Sequence, residues 1–289
     1  MLKRRIVAVV VVLDGIAVQS IGFRRYLPLG RPEIAVEFLD RWGVDEIVLT
    51  DISASRLERG PDEAMVRCAA EHCNVPLTVA GGISEISHVA GLLACGADKI
   101  AINRAARVRC DLITEMANRF GDQCVMASID AAPDGRGGYR VYDYLTSTIL
   151  EETPANLARQ MQAHGAGEVL LNSVERDGSY RGFDIGLIAS VVEAVSVPVI
   201  AVGGAGRPSH FVDAFAATGA SALGAANMFH FSEHSVTLVK SCLSKFIPIR
   251  RDTAFDYSSS VTDPAGRLLK KSDEVLEQML YVRIEKEVI

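Results

Sequence analysis

A few residues stand where their types and spacing could do chemistry. Asp130 closes the apolar run "VMASID" and is a candidate acid or base. Gly81 and Gly82 in "AGGIS", and Gly203 and Gly204 in "VGGAG", each end a strand-like run and precede a helical pattern. Their backbone N–H groups lack side-chain shielding, and the helix starts behind them favour an anion. Asn103 and Asn227 follow, each one strand later. A glycine pair alone could be a tight turn, and Asp130 alone a helix cap or loop carboxylate. Two equivalent pairs instead read as two phosphate sites with Asp130 between them, suited to an elongated ligand phosphorylated at both ends. Against this stands a gap. The stretch "AVVVVLDGIAVQ", residues 8–19, has no acid before Asp14, and aligning "IVAVVV" with "VMASID" sets Val11 opposite Asp130.

The elements that must position these residues are legible as apolar runs at 5–13, 45–51, 76–80, 99–103, 124–130, 168–173, 198–203 and 221–226. Amphipathic stretches lie between them, such as "PEIAVEFLDRWG" at 32–43 and "DIGLIASVVEAV" at 184–195. Eight βα units in about 240 residues define an α/β chain closed as a (β/α)₈ TIM barrel. An internal repeat divides it into two half-barrels. "VPLTVAGGISEISHVAGLLACGAD" from Val75 matches "VPVIAVGGAGRPSHFVDAFAATGAS" from Val197, pairing His88 with His210, and the same offset of 122 relates residues 44–60 to 166–182. The barrel is assigned to 1–249, and 250–289 to a linker plus a C-terminal helical extension carrying Leu269, Leu276, Met279, Leu280 and Ile284. That extension is either a helix packed on the barrel or a partner-binding tail.

Composition excludes several classes. The net charge of −6, with no dense Lys/Arg patch, argues against nucleic acid. The basic start followed by an apolar run imitates a signal peptide, but only Ile6 to Leu13 precede Asp14 and no cleavage site follows, so the run reads as a buried strand. No segment approaches the roughly 20 apolar residues of a membrane span. Six cysteines, at 68, 73, 95, 110, 124 and 242, form no CxxC pair and read as reduced, small hydrophobes of a cytoplasmic protein. His72, His88, His164, His210 and His234 fall in expected helices and His230 in the loop after the last strand, without an HxH or HExxH pattern, so neither metal nor cofactor is expected.

Residues 1–249 resemble the cyclase subunit family of imidazole glycerol phosphate synthase, through "TDISAS", "PLTVAGGI", "GADKIAIN", "LITEMANRFG", "QCVMASIDA", "LLNSVERDG", "FDIGLI", "VPVIAVGGAG" and "FHF". The resemblance implies a barrel that takes ammonia from a separate glutaminase subunit, closes an imidazole ring on a bis-phosphorylated ribulosyl substrate and releases an aminoimidazole carboxamide nucleotide. It implies phosphate binding by Gly81, Gly82, Asn103, Asp177, Gly178, Gly203, Gly204, Ala225 and Ala226. Of the family's two catalytic aspartates, Asp130 matches the second and Val11 takes the place of the first. Gln19 stands where the family has a lysine in the loop after the first strand. Losing one acid–base group typically costs 10² to 10⁴ in rate. Arg5, Glu46, Lys99 and Glu168 match the family's charged ring at the lower opening, an ammonia gate, although such charges also suit a structural ion-pair ring. Asp98 matches a position facing the glutaminase.

An aliphatic residue at position 11 and the "LLNS" strand are also similar to a branch of this family associated with surface-polysaccharide clusters, in which the barrel passes ammonia toward a sugar amidotransferase. The rival expectation is a true cyclase of histidine biosynthesis, with Asp130 acting alone or with Asp14 or Asp51 as substitute. The related histidine-pathway sugar isomerase shares the half-barrel plan, but it too needs the acid absent at Val11 and has no use for an ammonia gate.

Overall fold

The computed structural model describes residues 3–231 and 234–249, with Val261, Asp263 and Leu269. The strands are β1 (Arg5–Leu13), β2 (Ile16–Ile21), β3 (Arg25–Gly30), β4 (Glu46–Asp51), β5 (Leu77–Ala80), β6 (Lys99–Ile102), β7 (Val125–Pro133), β8 (Tyr139–Asp143), β9 (Thr148–Ile149), β10 (Glu168–Ser173), β11 (Val199–Val202) and β12 (Ala222–Ala225). The helices are α1 (Pro32–Arg41), α2 (Glu63–Ala70), α3 (Ile86–Ala94), α4 (Arg104–Val108), α5 (Cys110–Phe120), α6 (Pro154–Ala163), α7 (Ile185–Val192), α8 (Pro208–Ala217), α9 (Asn227–Phe231) and α10 (Ser235–Leu243).

Parallel pairing runs β1–β4–β5–β6–β7–β10–β11–β12 and returns to β1, where Arg5 meets Ala222, so the sheet closes as the expected (β/α)₈ barrel. The eight barrel strands match the eight apolar runs within a few residues at each end. The expected linker and extension at 250–289 lie outside the described residues apart from the three named above.

Two hairpins were not foreseen. β1 turns at Asp14 (φ 50°) and Gly15 (φ 79°) into antiparallel β2, and β7 turns back into antiparallel β8 at the same place in the second half. Two consecutive left-handed residues are the geometry of a tight two-residue hairpin turn, which Asp-Gly favours. Gln19 therefore sits in strand β2, paired with Leu27, and not in a loop. The histidines also move: His230 lies inside α9, while His72, His164 and His234 lie just beyond helix ends.

Two cores hold the molecule. The larger lies between strands and helices, with Ile6, Ile47, Leu92 and Phe211 fully buried. Helices reach it through apolar stripes: α1 starts at Pro32, buries Val36 and Leu39, and leaves its acidic and basic residues outside. The smaller core fills the barrel interior with Val7, Val48, Ala80, Ala101, Met126, Leu170, Ile200, Val202 and Ala222. Alternate residues of each strand face this interior, which carries floor, filling and upper cavity in successive layers.

Candidate functional site

Above the interior filling, at the carboxyl ends of the strands, opens a cavity of about 680 Å³. Its wall includes Val11, Asp130, Gly81, Gly82, Asn103, Asp177, Gly178, Gly203, Gly204, Ala225, Ala226 and Asn227. The residues singled out from sequence for the upper site are thus brought to one cavity by seven different strand ends and loops. The rings of Phe23 and Tyr142 pack edge to face with their centroids 6.3 Å apart, joining the two hairpins beside it.

Asp130 is buried, and its Oδ2 accepts from Asn103 Nδ2 at 2.9 Å. Asn172, its register partner on β10, is a second hydrogen-bond donor. Burial pushes the Asp130 carboxyl up to about 7 against the opposing pull of these two amides. A group poised there can hold or release a proton near neutral pH. Sequence reasoning used Asn172 only as part of "LLNS" and missed Ser128, whose Oγ lies 3.4 Å from Asn103 Nδ2. The signal was available, since Ser128 and Asp130 alternate onto one strand face.

In the other half, Val11 occupies the corresponding place and pairs in register with Thr50, as Asp130 does with Asn172. Its side chain lines the cavity as hydrocarbon. Of the two suggested substitutes, Asp14 is exposed in its turn and does not line the cavity, whereas Asp51 lines it and accepts from Ser53 Oγ at 2.6 Å, from Ser53 N at 3.0 Å and from Arg59 at 2.6 Å. Gln19 is turned out of the cavity wall and hydrogen-bonds Tyr180.

The glycine pairs are demanded by crowding as well as by backbone angle. An added Cβ would lie 2.1 Å from Asp51 O at Gly81 (φ +112°) and 2.1 Å from Gly182 O at Gly204 (φ +101°). Each loop is braced alike by the histidine of the following helix: Ser84 N donates to His88 Nδ1 at 3.4 Å, and Gly206 N to His210 Nδ1 at 3.2 Å. Asn103 and Asn227 are not equivalent. Asn103 precedes α4 and serves Asp130, whereas Asn227 opens α9 and donates to Ser20 O at 2.7 Å. The Asp177 carboxylate takes Ser20 Oγ at 2.6 Å and Phe23 N at 3.2 Å, pinning the first hairpin, and burial holds its pKa above the ordinary value.

At the lower end, Arg5, Glu46, Lys99 and Glu168 form a closed ring. Arg5 bonds Glu46 at 2.6 Å and also Glu168, while Lys99 bonds Glu46 at 3.1 Å and Glu168 at 2.7 Å. Burial opposes the charge of Arg5, but Glu168 and Glu46 beside it raise its pKa. Thr78 Oγ1 adds a donor to Glu46 at 2.9 Å. Asp98 accepts from Leu77 N at 2.8 Å, which fixes it at the start of β5. Among the described residues, no group of His, Cys, Asp or Glu could hold a metal ion, and no helix is long and apolar enough to cross a membrane.

Fold and cavity together define a half-barrel-repeat (β/α)₈ protein with paired glycine cradles above a charged floor. A family model described as histidine biosynthesis protein matches residues 5–235. The chain is 40% identical over 268 residues to a Vibrio vulnificus (strain YJ016) protein provisionally described as imidazole glycerol phosphate synthase subunit hisF2, covering 92% of this chain and 98% of that one. It is 42% identical over 244 residues to imidazole glycerol phosphate synthase subunit HisF of Halalkalibacterium halodurans, covering 84% and 97%. It is 38% identical over 255 residues to the subunit HisF of Gluconacetobacter diazotrophicus, covering 88% and 98%. The chain therefore belongs to the histidine biosynthesis protein family, within its imidazole glycerol phosphate synthase cyclase-subunit group.

Proposed function

We propose that this chain is the barrel subunit of a glutamine-dependent complex and that its own ring-closing chemistry is impaired. A glutaminase docks on the lower face beside Asp98, and ammonia enters past the Arg5, Glu46, Lys99 and Glu168 ring. A bis-phosphorylated small molecule is held in the upper cavity between the Gly81–Gly82 and Gly203–Gly204 cradles, with Asn103, Asp177, Gly178, Ala225 and Ala226 completing them. Ammonia is passed on to a sugar amidotransferase, for amidation of a sugar in polysaccharide biosynthesis.

The observation that carries this reading is the hydrocarbon at Val11, set where Asp130 stands in the other half, while Asp14 lies in the exposed hairpin turn and the Asp51 carboxylate on the cavity wall is held by Ser53 and Arg59. Asp130 alone can exchange one proton, but ring closure by two aspartates needs acid and base at separate atoms of the substrate. Ala80, Ala101 and Ala222 thin the interior filling between floor and cavity, which supports passage of a molecule as small as ammonia. The ring is shut by four ion pairs, so delivery requires the docked partner to open it.

One feature favours a second reading, a working cyclase of histidine biosynthesis: both cradles and Asp130, poised near neutrality, are intact. Complementation separates the two. Failure to rescue a histidine auxotroph lacking the cyclase supports the conduit, and rescue supports the cyclase.

A further inference from the structure

Helix α1 carries a second apolar stripe besides the one it buries. Ile34, Phe38 and Trp42 recur at i, i+4 and i+8, so they share a face turned away from Val36 and Leu39. Ile34 is 46% and Phe38 47% exposed, and the ring centroids of Phe38 and Trp42 lie 6.1 Å apart. Among the described residues, no other helix exposes two large apolar side chains. A surface helix ordinarily turns one apolar stripe inward and none outward, so this outer stripe calls for a cover.

The chain itself supplies one. Ile249 pairs with Arg4 beside the start of β1, so residues 250–289 leave the barrel at its lower end. α1 finishes at that same end. Lys240 of α10 bonds Asp45 Oδ1 at 2.7 Å in the turn between Trp42 and β4, and Asp45 N donates to Ile6 O at 2.8 Å. Further along, the chain turns back where Leu269 N donates to Val261 O at 2.9 Å. Residues 250–260 can still span roughly 36 Å when extended, against about 15 Å for the length of α1. Beyond the turn, Ser272 precedes Asp273 and Glu274, a pattern that starts helices. Leu276, Met279, Leu280 and Ile284 follow at i, i+3, i+4 and i+8, with Glu274, Gln278 and Glu285 at positions for the opposite face.

We infer that residues 273–286 form an amphipathic helix that lies along α1 and seats Leu276, Met279, Leu280 and Ile284 on Ile34, Phe38 and Trp42. The extension is then an outer layer of its own barrel, closing an apolar face that begins beside the lower opening.

Trp42 is the single tryptophan of the chain, so its emission reports on this face alone. In the full chain, Leu276→Asp combined with Leu280→Asp is expected to shift that emission to longer wavelength as the indole meets water. The same pair should raise trypsin cleavage between Arg267 and Lys286 at least about 10-fold, because cleavage follows the population of the opened form. Phe38→Asp leaves the sequence of the extension intact and should raise the same cleavage rate. Unchanged emission in the double variant, or unchanged cleavage in Phe38→Asp, overturns the docking. Emission that moves to shorter wavelength with rising protein concentration, in the double variant as in the parent, gives the face to a second copy of the chain and overturns it as well.

Discussion

Asn103 donates its side-chain amide to Asp130 across 2.9 Å, from the end of one barrel strand to the end of the next. Together with Asn172 it gives the Asp130 carboxyl a fixed orientation. It does not overcome the burial that keeps this carboxyl protonated to about pH 7.

That proton makes stability depend on pH. The unfolded aspartate releases its proton near pH 3.9, so between about 4 and 7 the folded chain holds a proton that the unfolded chain has lost. Stability from this group therefore falls as pH rises through that window. Asp130→Asn, which cannot ionise, should be more stable than the parent at pH 8 by on the order of 2–4 kcal/mol and nearly equal to it at pH 4. Urea unfolding at both pH values checks this; the same gain at both would assign the titration elsewhere.

Val11→Asp should be tolerated. An unpaired carboxylate sealed in a core costs several kcal/mol, but Val11 opens on the cavity, so the cost should be about 1 kcal/mol. Ammonia-dependent cyclisation should rise by about 10² to 10⁴. Adding Gln19→Lys should contribute little, because Gln19 faces Tyr180 and not the cavity. Steady-state rates of the two variants measure both effects; an unchanged rate with the bis-phosphate still bound would locate the defect beyond position 11.

The floor ring should break unequally. Glu46 accepts from Arg5, Lys99 and Thr78, so Glu46→Ala leaves two cations sharing Glu168 and should cost about 3–5 kcal/mol. Lys99→Met leaves Arg5 still bridging both carboxylates and should cost less. Denaturation midpoints of the two variants give the order, and a larger loss for Lys99→Met would contradict the ring as described.

A second buried pair ties α10 to the barrel. Lys240 Nζ meets Asp45 Oδ1 at 2.7 Å, with both side chains buried, and Asp45 Oδ2 accepts from Ile6 N at 2.7 Å. Lys240→Met should cost about 3–5 kcal/mol by stranding the carboxylate. Lys240→Met with Asp45→Asn should recover a good part of it, and a double-mutant cycle showing no coupling would contradict that account.

The barrel was legible because eight strands buried on both faces write continuous apolar runs, and the repeat fixed the symmetry of the glycine loops. The hairpin β2–β3 was not, since Arg25–Gly30 is largely exposed and carries neither helical nor alternating apolar spacing. Its one local signal is the Asp14-Gly15 turn at the end of the valine run, and the loop position expected for Gln19 came from the resemblance alone. The upper site was legible from residue types alone, but that Asn103 and Asn227 do different work depends on a one-residue difference in where α4 and α9 begin. The floor ring came from resemblance, because four charges spread over more than 160 residues have no local pattern that brings them together.

The central claim is that hydrocarbon at Val11 leaves Asp130 without its proton-handling counterpart. The most direct measurement is the rate at which the purified chain, given free ammonium and the bis-phosphorylated ribulosyl substrate, releases the aminoimidazole carboxamide nucleotide, beside the Halalkalibacterium halodurans subunit under identical conditions. The account predicts a rate about 10² to 10⁴ lower for this chain. Equal rates would contradict it.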